Sequence, residues 1–240
     1  RTLGTAVVKA KSVRVDKKVQ VQRNGVTVGK DGTASDPVGV TVGDTVTNTV
    51  EVTVPNKQAA SAVKFKLIDQ PKGQTYVKGS LSVRLKNAPR TDITADAIVY
   101  DGTTQNNAKS IPGDLSLKTA DNKPADPDLA IPAGGWGIDG RNILDRYSNR
   151  TIVITYKMTV DKASITDPAN NTVHTYGTFT DGVRFTTITD QDKADIKAYD
   201  FTLRKVDAGN VNTLLDGARF QIQRDGKWMN LDWNTGKWSD

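Results

Sequence analysis

Residues 45–54 read TVTNTVEVTV, and this stretch decides the fold class. Apolar and polar residues alternate along it, and an alternation with a period of two is typical of a strand with one buried and one solvated face. Valine and threonine are branched at Cβ, which favours strands over helices. The stretch therefore predicts a half-buried β-strand.

The same alternation recurs along most of the chain. Turn-forming pairs such as Asn24-Gly25 and Asp181-Gly182 separate the segments, and no segment carries a helical stripe longer than about three turns. Many strands with turn-rich connections, and no alternation of strands with helices, favour an all-β sandwich. The further predicted strands are residues 13–21, 63–67, 81–85, 152–160, 173–179, 183–188, 199–206 and 219–223.

The composition argues against several classes of function. The 240 residues include no cysteine, which rules out a disulfide framework or a thiolate metal site. The net charge is +6, but basic residues are scattered and interleaved with acids, whereas a nucleic-acid surface concentrates them. No apolar stretch approaches the length of a membrane-spanning helix. We therefore expect no nucleic-acid partner and no membrane span within this segment.

Two stretches interrupt the strand pattern. Residues 101–140 are rich in Asn, Asp, Pro and Gly, which predicts long surface loops inserted into a first domain. Residues 190–193 are polar and lie between two groups of strands, which predicts a domain boundary. We expect one domain at residues 1–191 and the beginning of another at residues 192–240.

Three polar residues share the parity of the apolar residues in their strands. Lys17 has the parity of Val13, Val15, Val19 and Val21, whereas Lys18 lies on the opposite face. In the same way Asp69 follows Val63, Phe65 and Leu67, and Asn171 precedes Val173. One interpretation is that the acid and the amide lie at wet strand ends while Lys17 extends its amine to solvent. The other is that all three side chains meet inside one core.

If they meet, their chemistry allows an intramolecular isopeptide bond. Burial lowers the pKa of a lysine and raises that of an aspartic acid, which yields a free amine and a neutral acid together. The Lys17 amine would attack the side-chain carbonyl of Asn171 and release ammonia, and protonated Asp69 would polarise that carbonyl and shuttle protons. Folding would hold the groups in contact, so a bimolecular encounter becomes a local one.

These residues lie in segments that resemble the shaft pilins of Gram-positive bacteria, in particular their isopeptide-forming middle domain. The resemblance spans most of residues 10–190 and implies a collagen-adhesin A-type (CnaA-type) immunoglobulin-like sandwich. It also implies that Lys17 and Asn171 are cross-linked with the help of Asp69. Asn170 adjoins Asn171, and a register shift of one residue would exchange their faces. The matching segments are Val15-Asp16-Lys17-Lys18-Val19, Val42-Gly43-Asp44-Thr45-Val46, Val52-Thr53-Val54-Pro55, Phe65-Lys66-Leu67-Ile68-Asp69 with Gly73 and Tyr76, Ile152-Val153-Ile154-Thr155-Tyr156, and Asn171-Thr172-Val173-His174-Thr175-Tyr176.

The C-terminal segments are similar to the opening strands of a B-type (CnaB-type) domain. Residues 199–207 and 214–222 carry this similarity, which implies an incomplete second β-sandwich with Lys205 as its candidate cross-linking lysine. The glutamate motif and terminal asparagine that would complete that bond are absent from the sequence. The Tyr-Pro-Lys motif whose lysine sortase uses is also absent, and Lys11 stands in a comparable place.

The resemblance implies a structural, non-enzymatic role. Shaft, basal and tip pilins and wall-anchored adhesin stalks all fit, each extracellular and linked to the cell wall of a Gram-positive bacterium. The implied partners are other pilin subunits and sortase, together with a host or bacterial surface ligand that the sequence does not name.

The alternative function is a secreted module that binds carbohydrate or another ligand. Its binding face would combine the loops of residues 101–140 with Trp136 and other tryptophans. Trp228, Trp233 and Trp238 recur near the end, where we instead expect core positions of repeated hairpins. His174 is the only histidine and should lie on an exposed strand face.

No cofactor is expected from the sequence, and calcium is the one metal considered. Asp121, Asp126 and Asp128 could offer it clustered oxygen ligands, although the glycine spacing of an EF-hand loop is missing.

Overall fold

The computed structural model describes residues 11–23, 26–28, 32–33, 36–103, 107–165, 169–198, 204–217, 220–224, 226–232 and 237–239. The predicted all-β class is confirmed. The strands up to residue 130 are β1 (Arg14–Arg23), β2 (Val26–Val28), β3 (Val38–Val40), β4 (Thr45–Thr53), β5 (Ala62–Lys72), β6 (Gln74–Tyr76), β7 (Ser82–Leu85), β8 (Ala88–Asp92), β9 (Ile98–Tyr100), β10 (Ser110–Ile111), β11 (Asp114–Lys118), β12 (Pro124–Asp126) and β13 (Leu129–Ala130).

The chain continues through a short helix and further strands. These are β14 (Trp136–Asp139), α1 (Arg141–Tyr147), β15 (Thr151–Val160), β16 (Ala169–Thr180), β17 (Phe185–Ala198), β18 (Val206–Asp207), β19 (Asn210–Leu214), β20 (Gln223–Arg224), β21 (Lys227–Trp228), β22 (Asn230–Asp232) and β23 (Lys237–Ser239). Single 3₁₀ turns occupy Thr94–Asp96 and Lys162–Ser164. None of the described helices has the length and hydrophobicity that a bilayer crossing requires.

Two sheets face each other. Sheet I has the strand order β2-β1-β4-β15-β7-β8, and β6 also pairs with β15. Sheet II has the order β3-β17-β16-β5-β14-β9. Within them the pairing is antiparallel except between β3 and β17, which run parallel. The first strand and the last long strand of the sandwich therefore belong to opposite sheets.

The alternation of the sequence explains the core. In β4, Val46, Val50 and Val52 are fully buried, while the threonines between them are half-buried. Sheet II contributes Phe65 and Val173 to the same cluster. Each sheet thus buries one face against the other, which is the arrangement that a period of two predicts.

The sandwich extends beyond the predicted domain boundary. Strand β17 pairs with β16 without a break through residues 191 and 192, where the sequence suggested that one domain ends. Ala194, Ile196 and Ala198 are buried in the sandwich core. The first structural unit therefore includes at least residue 198. Beyond it, the described residues form the pairs β18–β19, β20–β21 and β22–β23, and a second CnaB-type domain stays a prediction.

The segment 101–140 is not the set of surface loops that its composition suggested. Strand β14 lies inside sheet II between β5 and β9, with Trp136 and Ile138 fully buried. Ile111 is also buried, in a second small core on the outer face of sheet II with Ile68 and Tyr100. The glycines and prolines of this segment led to the prediction of loops. At β14, however, glycine serves close packing rather than a turn.

Gly137 illustrates that packing. A Cβ at this position would lie 2.6 Å from Ile131 Cδ1 and 2.9 Å from Ile111 Cδ1. The absence of a side chain lets the insertion lie directly on β14.

A buried ion pair fixes the insertion to sheet II. The Lys66 Nζ lies 2.7 Å from Asp126 Oδ1, and the two side chains are only 3% and 6% exposed. The ammonium also donates to the carbonyl oxygen of Pro112 at 2.8 Å, and Asp126 Oδ2 accepts from the backbone N–H of Asp114 at 3.0 Å. Strand β5 is thereby tied to β11 and β12.

Asp126→Ala should destabilise the sandwich far more than Asp121→Ala. The first change leaves the Lys66 ammonium buried without its counter-ion, which costs roughly 3–5 kcal/mol. Asp121 pairs with Lys123 in solvent, so its removal should leave the free energy of unfolding nearly unchanged. Urea unfolding measures both. Equal midpoints for the two variants would show that the ion pair does not fix the insertion.

Candidate functional site

Strand β1 directs Lys17 into the sandwich. The lysine lies between the buried residues Val13 and Val19 along the strand, and its side chain is 0% exposed, whereas Lys18 is exposed. Its cross-strand neighbour on β4 is Val50, which is fully buried. An ammonium in this setting has lost its hydration, and that loss is costly unless polar groups replace the water.

Sheet II presents an acid and an amide on its inner face. Asp69 on β5 lies opposite Val173 on β16, and Asn171 lies two residues before Val173. The acid and the amide are therefore diagonal neighbours on the same face, a spacing at which side chains make contact. Both are 0% exposed. Asn170 is half-buried with the opposite parity, so the register places Asn171 in the core.

Hydrogen bonds connect the two sheets at this point. Lys17 Nζ donates to Asp69 Oδ1 at 2.8 Å and to the Tyr156 hydroxyl at 2.5 Å. The same hydroxyl donates to Asp69 Oδ1 at 2.7 Å and accepts from Asn171 Nδ2 at 3.3 Å. The structure thus brings together the lysine, the acid and the amide, with Tyr156 among them.

Aromatic rings enclose the network. The ring of Trp136, on β14 next to Asp69, meets the Tyr156 ring edge-on at a centroid distance of 4.9 Å. Lys17 Nζ lies 5.3 Å from the centroid of the Tyr156 ring. With Tyr156 1% and Trp136 0% exposed, the rings separate the polar groups from solvent and strengthen the interactions among them.

Two buried oxygens in the cluster lack a hydrogen-bond donor. They are Asp69 Oδ2 and the Asn171 Oδ1 carbonyl oxygen. An unsatisfied polar atom in a core costs stability, and such an atom calls for an explanation.

Burial also changes the acid–base properties of the cluster. Desolvation lowers the pKa of Lys17, although attraction to Asp69 and, more weakly, Asp192 opposes that change. Desolvation raises the pKa of Tyr156 well above its usual value, and the Asp69 charge adds to the effect. Burial therefore makes the Lys17 amine easier to deprotonate and keeps the Tyr156 phenol protonated.

Strand β17 holds the backbone of β1 beside the site. Asp190 Oδ2 accepts from the N–H of Val15 at 3.1 Å, and Asp192 Oδ2 accepts from the N–H of Lys17 at 2.7 Å. Both acids have the parity of the buried residues Ala194 and Ile196. The polar stretch read as a domain boundary is therefore a row of carboxylates that bind the edge of β1.

The other candidate lysines lie apart from this network. Lys205 is exposed, immediately before β18, and Tyr199, Phe201 and Leu203, which share its parity, lie outside the described residues. Lys11 is half-buried and precedes β1. Neither position has the enclosed, hydrogen-bonded environment of Lys17.

The acids considered for calcium do not form a site. Asp126 is committed to the buried pair with Lys66, whereas Asp121 pairs with Lys123 at the surface, and Asp128 accepts from the N–H of Gly113. Among the described residues no group of three metal-binding side chains occurs. The calcium hypothesis is not supported by this geometry.

The carbohydrate-binding alternative loses its key residue. Trp136 is fully buried and cannot stack on a sugar. Trp228 is 55% exposed, so its predicted core position is wrong within the described residues. The side chains of Trp233 and Trp238 lie outside them. His174 is half-buried, rather than exposed, on the outer face of sheet II, where burial lowers its pKa.

Tyr156 is the site residue that the candidate set omitted. Its parity matches that of the buried residues Ile152, Ile154 and Met158 along β15. This parity puts the Tyr156 side chain on the buried face of β15. That its hydroxyl reaches Lys17 is seen only from the pairing of β15 with β4 and from the way the two sheets pack face to face. A buried hydroxyl that needs a partner was the signal available in the sequence.

Several solved structures of backbone pilins are similar in fold to this chain. The T6 backbone pilin of serotype M6 Streptococcus pyogenes, described as a modular three-domain structure, is 16% identical, with coverage of 83% of this chain and 39% of that chain and a TM-score of 0.50. BcpA, the major pilin subunit of Bacillus cereus, is 12% identical, with coverage of 95% and 55% and a TM-score of 0.48. The pilus backbone RrgB of Streptococcus pneumoniae is 18% identical, with coverage of 68% and 53% and a TM-score of 0.40.

Sequence comparisons add no closer relative: no protein-family model and no curated protein matches the chain. The chain spans 53% of the RrgB structure and 39% of the T6 pilin. At these low identities the likeness concerns the fold alone. The described sandwich has the β-sandwich fold seen in the T6 backbone pilin of a Gram-positive bacterium.

Proposed function

We propose that this chain is part of a structural subunit of a Gram-positive pilus or adhesin stalk, in which Lys17 and Asn171 become joined by an isopeptide bond. The observation that carries the proposal is the buried network between the two sheets, in which Lys17 bonds directly to Asp69 and the Tyr156 hydroxyl connects both of them to Asn171. The likeness in fold to the T6 backbone pilin supports the same role.

The reaction is a single internal exchange of one amide for another. A proton passes from the Lys17 ammonium to Asp69, which leaves a neutral amine and a carboxylic acid. The amine attacks Asn171 Cγ, the new Nζ–Cγ bond forms, the Cγ–Nδ2 bond breaks and ammonia leaves. Asp69 stabilises the negative charge on Oδ1 at the tetrahedral stage, as oxyanion donors do. Atoms and protons balance without a cofactor.

Energetics favour a reactive role over a purely stabilising one. Replacing a buried ion pair by apolar side chains is often neutral or stabilising, so stability alone does not account for such a pair. Here the pair shares the Tyr156 hydroxyl with Asn171, whose buried carbonyl oxygen lacks a donor, and burial lowers the pKa of the Lys17 amine. After the reaction no ammonium needs solvation and the cluster holds a neutral amide.

The position of the bond suits a protein under tension. Lys17 lies on β1 of sheet I, and Asn171 lies on β16 of sheet II. A bond between them closes a covalent loop through most of the sandwich and ties its two layers together. Separation of the sheets, or extraction of β1, would then require breaking a covalent bond rather than a set of hydrogen bonds.

The finer assignments extend this proposal. The partners are other pilin subunits and the sortase that links them, with Lys11 as the candidate linkage lysine. The sandwich is assigned to the CnaA type. Residues after Ala198 are assigned to a CnaB-type domain, in which Lys205 would form the internal cross-link. The subunit would lie in the cell wall or pilus on the bacterial surface and support adhesion to a host or bacterial ligand.

The intact protein should be lighter than its sequence mass by one ammonia molecule. Lys17→Ala, Asp69→Ala and Asn171→Ala should each restore the full mass, since each removes one reactant or the proton donor. Lys18→Ala and Asn170→Ala are the matched controls and should keep the deficit, because neither side chain faces the core. Mass spectrometry of the denatured proteins measures this. A deficit that survives Lys17→Ala would assign the bond to another lysine.

Loss of the bond should also expose the fold to proteolysis. Trypsin should cut Asn171→Ala at a higher rate than the unchanged chain, because an unlinked sandwich opens more often. Asn170→Ala again serves as the control, and a time course on a gel gives the rates. Equal rates for all three proteins would show that the bond does not protect the sandwich. Whether the bond forms would still be decided by the mass measurement.

The unlinked variant Asn171→Ala should gain stability as pH rises through the folded pKa of Lys17 toward 10. The pKa of Lys17 in the folded state lies below its unfolded value of 10.5, so between the two values the unfolded chain binds more protons. Above about 10, ionisation of Tyr156 in the unfolded chain opposes the gain, because its folded pKa is raised. Urea unfolding at a series of pH values measures the slope.

Lys17→Met in the Asn171→Ala background is the control for that slope. It removes the titrating amine and should abolish the part of the pH dependence that Lys17 causes, while every other lysine stays in place. Identical slopes for the two proteins would show that Lys17 keeps an ordinary pKa in the folded chain.

A further inference from the structure

One hydroxyl group contacts every reacting group of the site. The Tyr156 oxygen lies 2.5 Å from Lys17 Nζ, 2.7 Å from Asp69 Oδ1 and 3.3 Å from Asn171 Nδ2. It is therefore positioned between the nitrogen that attacks and the nitrogen that leaves. Its ring belongs to β15 in the middle of sheet I, between β4 and β7.

We propose that Tyr156 is a catalytic residue of the cross-linking reaction, in which its hydroxyl carries a proton from Lys17 Nζ to Asn171 Nδ2. This inference rests on the proposed isopeptide function and adds a fourth participant to it. It assigns the transfer between the nitrogens to the phenol and leaves the activation of the carbonyl to Asp69.

Proton accounting requires such a transfer. When the neutral Lys17 amine attacks, Nζ gains a fourth bond and a positive charge, so it must lose a proton. The amide nitrogen Nδ2 must gain a proton before the Cγ–Nδ2 bond breaks and ammonia leaves. Tyr156 accepts the first proton on its oxygen while it gives its own to Nδ2. The phenol ends in its starting state, and this transfer between the two nitrogens needs no further proton source or acceptor.

The contacts divide the work between the acid and the phenol. Asp69 uses Oδ1 to accept from Lys17 and Tyr156, and its Oδ2 is unpaired. The Asn171 carbonyl oxygen is also unpaired, whereas Nδ2 already donates to Tyr156. Asp69 can therefore serve the oxygen of the amide while Tyr156 serves its nitrogen.

The surroundings keep the phenol suited to a relay. A relay hydroxyl has to carry a proton both before and after the reaction, and burial beside Asp69 disfavours the phenolate. The Trp136 ring packs edge-on against Tyr156, and β15 pairs with β4 directly at Tyr156. The first contact holds the ring and the second holds the backbone from which it extends. The hydroxyl can turn its proton toward Asp69 or toward Nδ2 by rotation about its C–O bond, without movement of the ring.

Tyr156→Phe tests the relay, because it removes the hydroxyl and keeps the ring. Newly translated protein is quenched at intervals, and mass spectrometry gives the fraction that has lost ammonia. A positioned proton-transfer group contributes on the order of 10²–10⁴-fold in rate, so ammonia loss should slow by roughly 10²-fold or more. Tyr76→Phe is the matched control: its ring neighbours that of Tyr156, but its hydroxyl accepts from the N–H of Leu81, and its rate should not change.

A fluorinated tyrosine at position 156 provides a second test that keeps both ring and hydroxyl. The more acidic phenol should change the rate of ammonia loss, whereas the same replacement at Tyr76 should not. A hydroxyl that only holds the fold together would give equal rates for both replacements. This test decides the matter if Tyr156→Phe fails to fold, which circular dichroism would reveal.

The outcomes separate the two proposals. If the unchanged protein loses no ammonia at all, the isopeptide function fails and takes the relay with it. If the unchanged protein loses ammonia, and folded Tyr156→Phe or the fluorinated protein does so at the same rate, the relay is overturned while the isopeptide function stands. Slow loss in Tyr156→Phe with normal loss in Tyr76→Phe supports the relay.

Discussion

The desolvated contact between Lys17 and Asp69 is the constraint on which the rest of this structure depends. Both side chains are 0% exposed, and a charge removed from water is costly unless partners and hydrogen bonds compensate it. Compensation needs sheet I and sheet II to meet at one point, with β1, β5, β15 and β16 in register. The packing that satisfies this buried pair therefore also brings together the residues that we propose to react.

The proposed bond would join the two sheets of the sandwich. Strand β1 opens the sandwich, β16 lies near its end, and they belong to different sheets. Carboxylates on β17 hold the backbone of β1 through two hydrogen bonds, and a bond at Lys17 would hold the same strand through its side chain. Hydrogen bonds to carboxylates and a covalent bond would thus hold the same strand, β1, which fits a module that transmits tension.

The sequence predicted more of the core than of the connections. Alternation identified β4 and placed Lys17 on the apolar parity of β1, because side-chain parity in a strand is a local property. It did not decide whether the Lys17 amine lies in the core or extends to solvent. Strand β14 and the path of β17 through residue 191 were missed, since their burial depends on neighbours distant in sequence. Asp190 and Asp192 resemble linker residues until the backbone of β1 is seen beside them. Tyr156 shares the parity of Ile152 and Ile154 along its strand, but parity does not reveal what its hydroxyl touches.

Peptide mapping of the digested protein tests the central claim most directly. If Lys17 and Asn171 are joined, protease digestion should yield one branched peptide that contains segments of β1 and β16, lighter than their sum by one ammonia molecule. Fragmentation should locate the junction at Lys17 and Asn171 rather than at Lys18 and Asn170. Recovery of the two segments only as separate, unmodified linear peptides would contradict the account.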